Sequence, residues 1–119
     1  MGKVVMISQN SYNYEQVRSR MKEMIGLLGG MDNFVKPGER VLIKPNLLSA
    51  SKPSKRITTD PVIVKAAASL VLEAGGCPFI GDSPALEPFS KVAAETGMEK
   101  VGRELGIPCV SRAQMLGHL

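Results

Sequence analysis

The 119-residue sequence predicts an α/β fold, a three-layer sandwich whose mainly parallel sheet has about four strands in the order β-α-β-α-β-α-β. Two observations support this prediction. Short runs of β-favouring apolar residues alternate along the chain with longer segments in which apolar residues recur at helical spacing. Alternation of this kind is typical of parallel strands joined by right-handed helical crossovers. We expect residues 1–119 to be a single α/β domain and a fragment of a longer protein.

The segment from Val41 to Asn46 is predicted to contain the central strand and its exit. Three β-favouring apolar residues in a row, Val41 to Ile43, indicate a short buried strand of a parallel sheet. The strand must stop at Pro45 because proline has no N–H to give to the ladder. Lys44 and Asn46 therefore stand at the carboxyl end of a strand, which is the edge where open α/β sheets bind ligands.

The other elements follow from the same signals and from helix caps. Asp60-Pro61 is the clearest helix start, with Asp as the N-cap and Pro at the first helical position. Paired glycines at 29–30 and 75–76 end the two longer helices. In chain order, the predicted elements are a strand at 4–7, a helix at about 14–28, the strand at 41–43, a helix at about 61–74, a strand at 78–82, helices at 88–96 and 98–105, and a strand at 108–110.

Composition excludes several classes of protein. The formal charge of +4 favours anions in general but is too small to indicate nucleic acid, and the aromatic content of 4% offers few platforms for stacking bases. Two cysteines, Cys77 and Cys109, cannot form the four-cysteine set of an iron–sulfur cluster. No apolar run approaches the ~20 residues of a membrane span. We therefore expect a cytoplasmic protein with no nucleic-acid or membrane partner and no metal bound within this segment.

The carboxyl edge of the sheet and the start of the 61–74 helix predict a binding site for a small anion. A lysine next to N–H groups at a helix N-terminus suits phosphate or carboxylate. Asp60 could instead be only a cap, and Asp82 could be a metal ligand, a general base, an ion-pair partner of Lys44 or a turn cap. No catalytic residue is assigned. The candidate ligand-binding residues are Lys44, Asn46, Thr58, Thr59, Asp60, Asp82 and Ser83.

A set of motifs occurs in a fixed order along nearly the whole chain. They are Leu27-Leu-Gly-Gly30, Phe34-Val-Lys-Pro-Gly38, Val41-Leu-Ile-Lys-Pro-Asn-Leu-Leu-Ser49, Thr58-Thr-Asp-Pro61, Ala74-Gly-Gly76, Ile80-Gly-Asp-Ser-Pro84 and Glu95-Thr-Gly97. With these motifs the sequence resembles the bacterial and archaeal family catalogued as domain of unknown function 362. The resemblance supplies no established catalytic residues.

The resemblance implies a role in a longer protein. Family members commonly continue into a ferredoxin-like module with two four-cysteine motifs and are often labelled iron–sulfur cluster-binding. This segment would then be the α/β domain of a redox protein whose 4Fe-4S cluster lies outside it, with the C-terminal remainder of the same protein as its partner. Two alternatives stay open: a domain or enzyme that binds a phosphate or carboxylate ligand, and a structural half-domain completed by a missing C-terminal part.

Overall fold

Three parallel strands form the sheet in the computed structural model of the chain, which describes residues 2–47, 59–83 and 87–115. They are β1 (Arg40–Ile43), β2 (Cys77–Asp82) and β3 (Cys109–Ser111), and they follow one another across the sheet in that order. Ile43 pairs with Ile80, which in turn pairs with Cys109, and both pairings are parallel. The predicted α/β class with a parallel sheet is thereby confirmed.

Helices connect the strands at the predicted places. Asn13 and Asp60 cap the two long helices by accepting N–H groups of their first turns, as short polar side chains do. The helices are α1 (Tyr14–Gly26), α2 (Pro61–Glu73), α3 (Phe89–Glu95), α4 (Met98–Leu105) and α5 (Arg112–Met115), with a 3-10 turn at Met31–Asn33. The sequence analysis predicted neither α5 nor the 3-10 turn. No helix among the described residues is long and apolar enough to cross a membrane.

The hydrophobic core lies between the sheet and the helices α2, α3 and α4. Ile80 in the middle of β2 is at its centre, and Ile43 of β1 and Cys109 of β3 pack against it from the neighbouring strands. Aliphatic side chains make up most of the core, although Phe79 is also buried and Phe89 packs against the cluster. The fully packed members are Leu47, Val64, Ile80, Val92, Met98 and Val101.

The opposite face of the sheet carries only α5 among the helices of the described chain. Gly81 turns towards this face because side chains alternate along a strand and Ile80 faces the core. A Cβ on Gly81 would lie 2.7 Å from the sulfur of Met115 in α5 and 3.1 Å from a methyl group of Leu42, so any larger residue would have to displace the side chain of Met115. One turn of helix is not the second full layer that the sequence predicts.

The described structure does not confirm two predictions about the sheet. Residues 4–7 have no regular secondary structure, and Val4 and Met6 are 88% and 90% exposed. Apolar character favours a strand, but a strand exists only when its N–H and C=O groups join a ladder. β1 is therefore not central: it is an edge strand of the described sheet, and β2 lies in the middle.

Candidate functional site at the carboxyl edge of the sheet

Three of the predicted residues meet where β1 and β2 end. Lys44 and Asn46 follow β1, and Asp82 is the last residue of β2. The two strands are adjacent and parallel, so their exits lie side by side. Asp82 is more than thirty positions from Lys44 and Asn46 in the sequence. The pairing of Ile43 with Ile80 brings them together.

Lys44 is the exposed cation of this edge. Its side chain is 58% exposed, and its Nζ donates a hydrogen bond of 2.6 Å to Oδ1 of Asn46. The same Nζ lies 3.6 Å from Oδ1 of Asp82, an ion pair that is too long for a hydrogen bond. An ammonium has three donors, so an incoming acceptor can still be bound.

Asn46 shapes the turn that holds Lys44. Its φ is +57°, the only positive value at a non-glycine residue in the described chain. Asparagine tolerates this left-handed conformation better than most residues because its short side chain bonds locally. Buried Pro45 ends the ladder, and after the turn at Asn46 the side chain of Leu47 is buried in the core.

Asp82 joins the two strand exits and is 4% exposed. Its Oδ2 accepts the backbone N–H of Leu47 at 2.5 Å, and its Oδ1 accepts the N–H of Ser83 at 2.7 Å. A buried carboxylate is costly unless it is both hydrogen-bonded and paired, and Asp82 is both. These contacts favour the roles of ion-pair partner and turn cap over those of general base or metal ligand.

Leu47 is the residue of this site that sequence reasoning missed. Its backbone N–H bonds to Asp82 while its side chain is buried in the core cluster, so both its backbone and its side chain anchor the turn that follows β1. A hydrophobic residue directly after the Pro45-Asn46 turn was the available signal. It indicated that the chain returns to the core instead of continuing outward.

The start of α2 offers fewer donors than its sequence suggests. Pro61 has no N–H, and Oδ1 of Asp60 already accepts the N–H of Val62 at 2.9 Å. The N–H of Ile63 bonds to the backbone oxygen of Asp60 at 3.0 Å. Asp60 is thus a helix cap, and Thr59 precedes it at a half-buried position. Thr58 and the basic residues Lys52, Lys55 and Arg56 lie outside the described residues.

A second polar cluster lies between α1 and α2, away from the strand exits. Glu73 accepts hydrogen bonds from Lys22 at 2.7 Å and from Arg18 at 2.5 Å, and the two cations lower its pKa, with Lys22 as the larger cause. A cavity of about 470 Å³ opens beside it, lined by Lys22, Ile25, Gly26, Gly30, Met31, Asp32, Leu70, Glu73 and Ala74. The one cation among its described lining residues, Lys22, is already bonded to Glu73, and its other charged group, Asp32, is an acid. The cavity therefore offers less to an anion than Lys44 does.

The cysteines do not form a site with each other or with a metal. Both are free thiols, Cys77 exposed at the start of β2 and Cys109 half-buried in β3. Burial, and secondly the charge of Glu99, raise the pKa of Cys109 to about 11, so the thiol is protonated at neutral pH. Among the described residues, no group of three or more His, Cys, Asp or Glu side chains could hold a metal ion.

The fold places the chain among the α/β domains with a parallel sheet, a class in which ligands commonly bind at the carboxyl ends of the strands. The chain belongs to the family described as Domain of unknown function (DUF362), which matches residues 41–114. The match runs from Val41 in β1 to Gln114 in α5 and thus includes every residue of the candidate site, and it confirms the resemblance found in the sequence.

The chain is also similar to a curated protein, thylakoid-associated protein sll1697 of Synechocystis sp.. The two are 44% identical over 107 residues, which make up 90% of this chain and 33% of the relative. The chain therefore spans about a third of that relative's length. No solved structure matches it.

Proposed function

We propose that the carboxyl edge of the sheet binds a small anion, a phosphate or a carboxylate, through the ammonium of Lys44. The observation that carries the proposal is the placement of this exposed cation, 2.6 Å from Asn46 and beside buried Asp82, at the exit of a parallel strand. An ammonium held by its neighbours loses less entropy on binding than one on a mobile side chain. Whether a reaction follows binding is left open.

The site would work by exchanging partners at Lys44. Asp82 is 3.6 Å from Nζ and already accepts two backbone N–H groups. Its carboxylate can therefore stay in place when the ammonium of Lys44 moves to bind an anion. Asn46 can turn its amide to donate to the anion through Nδ2 while Lys44 donates from Nζ. Thr58, Thr59 and Ser83 stand in the sequence beside these groups and are proposed as further donors, with Asp60 holding the start of α2 in place.

The test is a titration of the 119-residue chain with inorganic phosphate at constant ionic strength, followed by the amide signals of Leu47 and Ser83. A second titration uses succinate as the carboxylate probe. We expect saturable shifts at these amides in the wild type and none in Lys44→Met. The matched control is Lys91→Met, because Lys91 is 60% exposed, also forms an ion pair with a carboxylate (Glu87, at 3.1 Å), and lies in α3. Equal shifts in wild type and Lys44→Met would refute the proposal.

A second proposal concerns the longer protein. We propose, from the family resemblance, that the parent chain is a redox protein with a 4Fe-4S cluster bound by its C-terminal remainder. The relative's length supports only a longer parent chain, because about two thirds of that protein lie outside the matched segment; the cluster itself rests on the family resemblance. The natural protein, purified without oxygen, should show broad visible absorption that a reductant bleaches. A colourless protein would contradict this proposal and leave the anion site untouched.

Location and partner are also proposed. We place the protein in the cytoplasm, on the basis of its two free thiols, with the C-terminal remainder as its partner. The relative is named as thylakoid-associated, and a domain of this kind could act at the surface of such a membrane. Fractionation of source cells distinguishes the two, since a cytoplasmic protein remains in the supernatant at low salt.

The complete sheet is proposed to have four strands and helices on both faces. The fourth strand would be formed by residues 4–7, whose β-favouring run precedes α1 as each other strand precedes a helix. The second helix layer would extend from α5, which already covers Gly81 through Met115. The C-terminal remainder would supply it.

A further inference from the structure

We infer that the loop at residues 8–13 is a further wall of the anion site, brought beside Lys44 when residues 4–7 join the edge of β1. The inference rests on the proposed function and deepens it, because it adds the hydroxyl of Ser8 and the amide of Asn10 to the donors of that site. Its ligand class is the same, a small phosphate or carboxylate.

The contacts of α1 with α2 define the direction in which α1 runs. α1 and α2 lie side by side and run the same way: Nζ of Lys65 is 4.3 Å from the ring centre of Tyr14 near their starts, and Lys22 bonds to Glu73 near their ends. α2 connects the parallel strands β1 and β2, so it runs against them. α1 therefore also runs against the strands.

Residues 3–8 lie along α1 in the opposite direction. Nζ of Lys3 donates to the backbone oxygen of Leu27 at the end of the helix, at 2.9 Å. Nη2 of Arg20, in the middle of the helix, donates to the backbone oxygen of Ser8, also at 2.9 Å. The segment thus runs in the direction of β1, as a fourth parallel strand must.

The burial pattern of the segment matches that of β1. Val4 and Met6 are exposed while Val5 and Ile7 are half-buried, and the residues 40–43 of β1 alternate in the same order. Paired residues of neighbouring strands point to the same face of a sheet. Pairing of 4–7 with 40–43 would therefore place the half-buried side chains of both on the helix face.

The edge of β1 is oriented to receive this strand. The oxygen of Glu39 accepts the N–H of Cys77 at 2.7 Å, so strand alternation turns the backbone of Leu42 away from β2. No strand of the described part covers that side. β1, β2 and β3 follow one another across the sheet in chain order, and α2 is the crossover between β1 and β2. A right-handed crossover through α1, which lies beside α2, would therefore place the strand that precedes α1 on the open side of β1.

Pairing brings the loop to the site. The carboxyl end of the added strand falls at Ser8, beside the exit of β1 at Lys44. The loop is held in shape, because Gln9 donates to the hydroxyl of Ser11 at 3.1 Å and that hydroxyl donates to Gln16 at 2.8 Å. Neutral donors beside an ammonium suit an anion that needs several hydrogen bonds.

The first arm of the test measures affinity for inorganic phosphate. We expect Ser8→Ala and Asn10→Ala each to weaken binding about 3- to 10-fold, as loss of one hydrogen bond does. The control is Asn33→Ala, an exposed asparagine at the other end of α1. Unchanged affinity in both loop variants, with binding lost in Lys44→Met, would overturn this inference and keep the proposed function. No binding by the wild-type chain would end both.

The second arm measures backbone hydrogen exchange and does not depend on any ligand. We expect the amide of Leu42 and every second amide of residues 4–7 to exchange at least about 10-fold more slowly than unstructured amides. Val5→Asp should remove this protection, while Met6→Ser, on the exposed side, should retain it. Fast exchange at Leu42 in the wild type would overturn the inference, even if the variants fail to fold.

Discussion

The Asp82 cluster and the Glu73 cluster each combine a carboxylate with lysine, but they differ in what the carboxylate holds. Asp82 is buried and accepts two backbone N–H groups from separate loops, while Lys44 lies at a longer distance. Glu73 is exposed and holds only side chains, Arg18 and Lys22. The first therefore fixes the backbone and leaves its cation available, whereas the second uses its cations to join two helices.

At the strand exits, one residue therefore stabilises the fold, Asp82, while another is available for binding, Lys44. If Asp82 stabilises the loops through Leu47 and Ser83, then Lys44 can be removed at little cost in stability. At the helix pair the cations are themselves the stabilising groups, and solvent screens them. The predictions that follow test this separation.

The largest effect is expected for Asp82→Ala. The substitution removes the acceptor of the buried N–H of Leu47 and of the part-buried N–H of Ser83, which should lower the free energy of unfolding by about 2–4 kcal/mol. Urea unfolding measures it. Asp82→Asn retains one oxygen and the side-chain volume and should cost less. A loss below that of Glu73→Gln would contradict the comparison.

The turn at Asn46 should show a backbone effect of intermediate size. Asn46→Ala and Asn46→Gly both remove the oxygen that holds Lys44, but only alanine is strained at a φ of +57°. The alanine variant should therefore be about 1–2 kcal/mol less stable than the glycine variant. Thermal unfolding of the two variants measures this backbone strain, and equal stabilities would show that the turn adopts an unstrained φ in the alanine variant.

Lys44→Met should change stability by less than about 1 kcal/mol, because the side chain is exposed and its ion pair with Asp82 is long. Urea unfolding of the variant beside Lys91→Met is the measurement. A loss comparable to that of Asp82→Ala would mean that the lysine supports the loops and is not held ready for a ligand.

The smallest effect is expected for Glu73→Gln, and it should depend on pH and salt. The lowered pKa of Glu73 means that its stabilisation is present above the ordinary value of 4.5 and is lost as the pH falls through the folded-state pKa. The difference in Tm between variant and wild type should thus shrink in acid and at high salt. A difference that stays constant as the pH is lowered from neutral until the protein unfolds in acid would indicate a contribution from packing.

The sequence predicted most of the local structure because caps and periodicity are local signals. Asp60-Pro61 gave the start of α2, and Pro45 gave the end of β1. The position of β1 at the edge of the described sheet depends on which strands pair with each other, and no local sequence pattern specifies that. α5 was missed because a helix of four residues has too few turns to show periodicity.

Three residues of the candidate site and one of their contacts, the ion pair of Lys44 with Asp82, were among the expectations from the sequence, but Leu47 and its bond to Asp82 were not. Lys44, Asn46 and Asp82 were expected at one edge because parallel strands end together. That Asp82 bonds to the backbone of Leu47 depends on the turn at Asn46, and this turn is set by the burial of Leu47 in the core. Such a contact follows from the register of β1 and β2, which the sequence does not specify alone.

The central claim is that Lys44 binds an anion without supporting the fold, and thermal unfolding with and without inorganic phosphate tests it most directly. A ligand that binds only the native state raises Tm in proportion to RT ln(1 + [L]/Kd). The account predicts that phosphate raises the Tm of the wild type and of Lys91→Met, while Lys44→Met starts near the wild-type Tm and shows no rise. An equal rise in all three, or none in any, would contradict it.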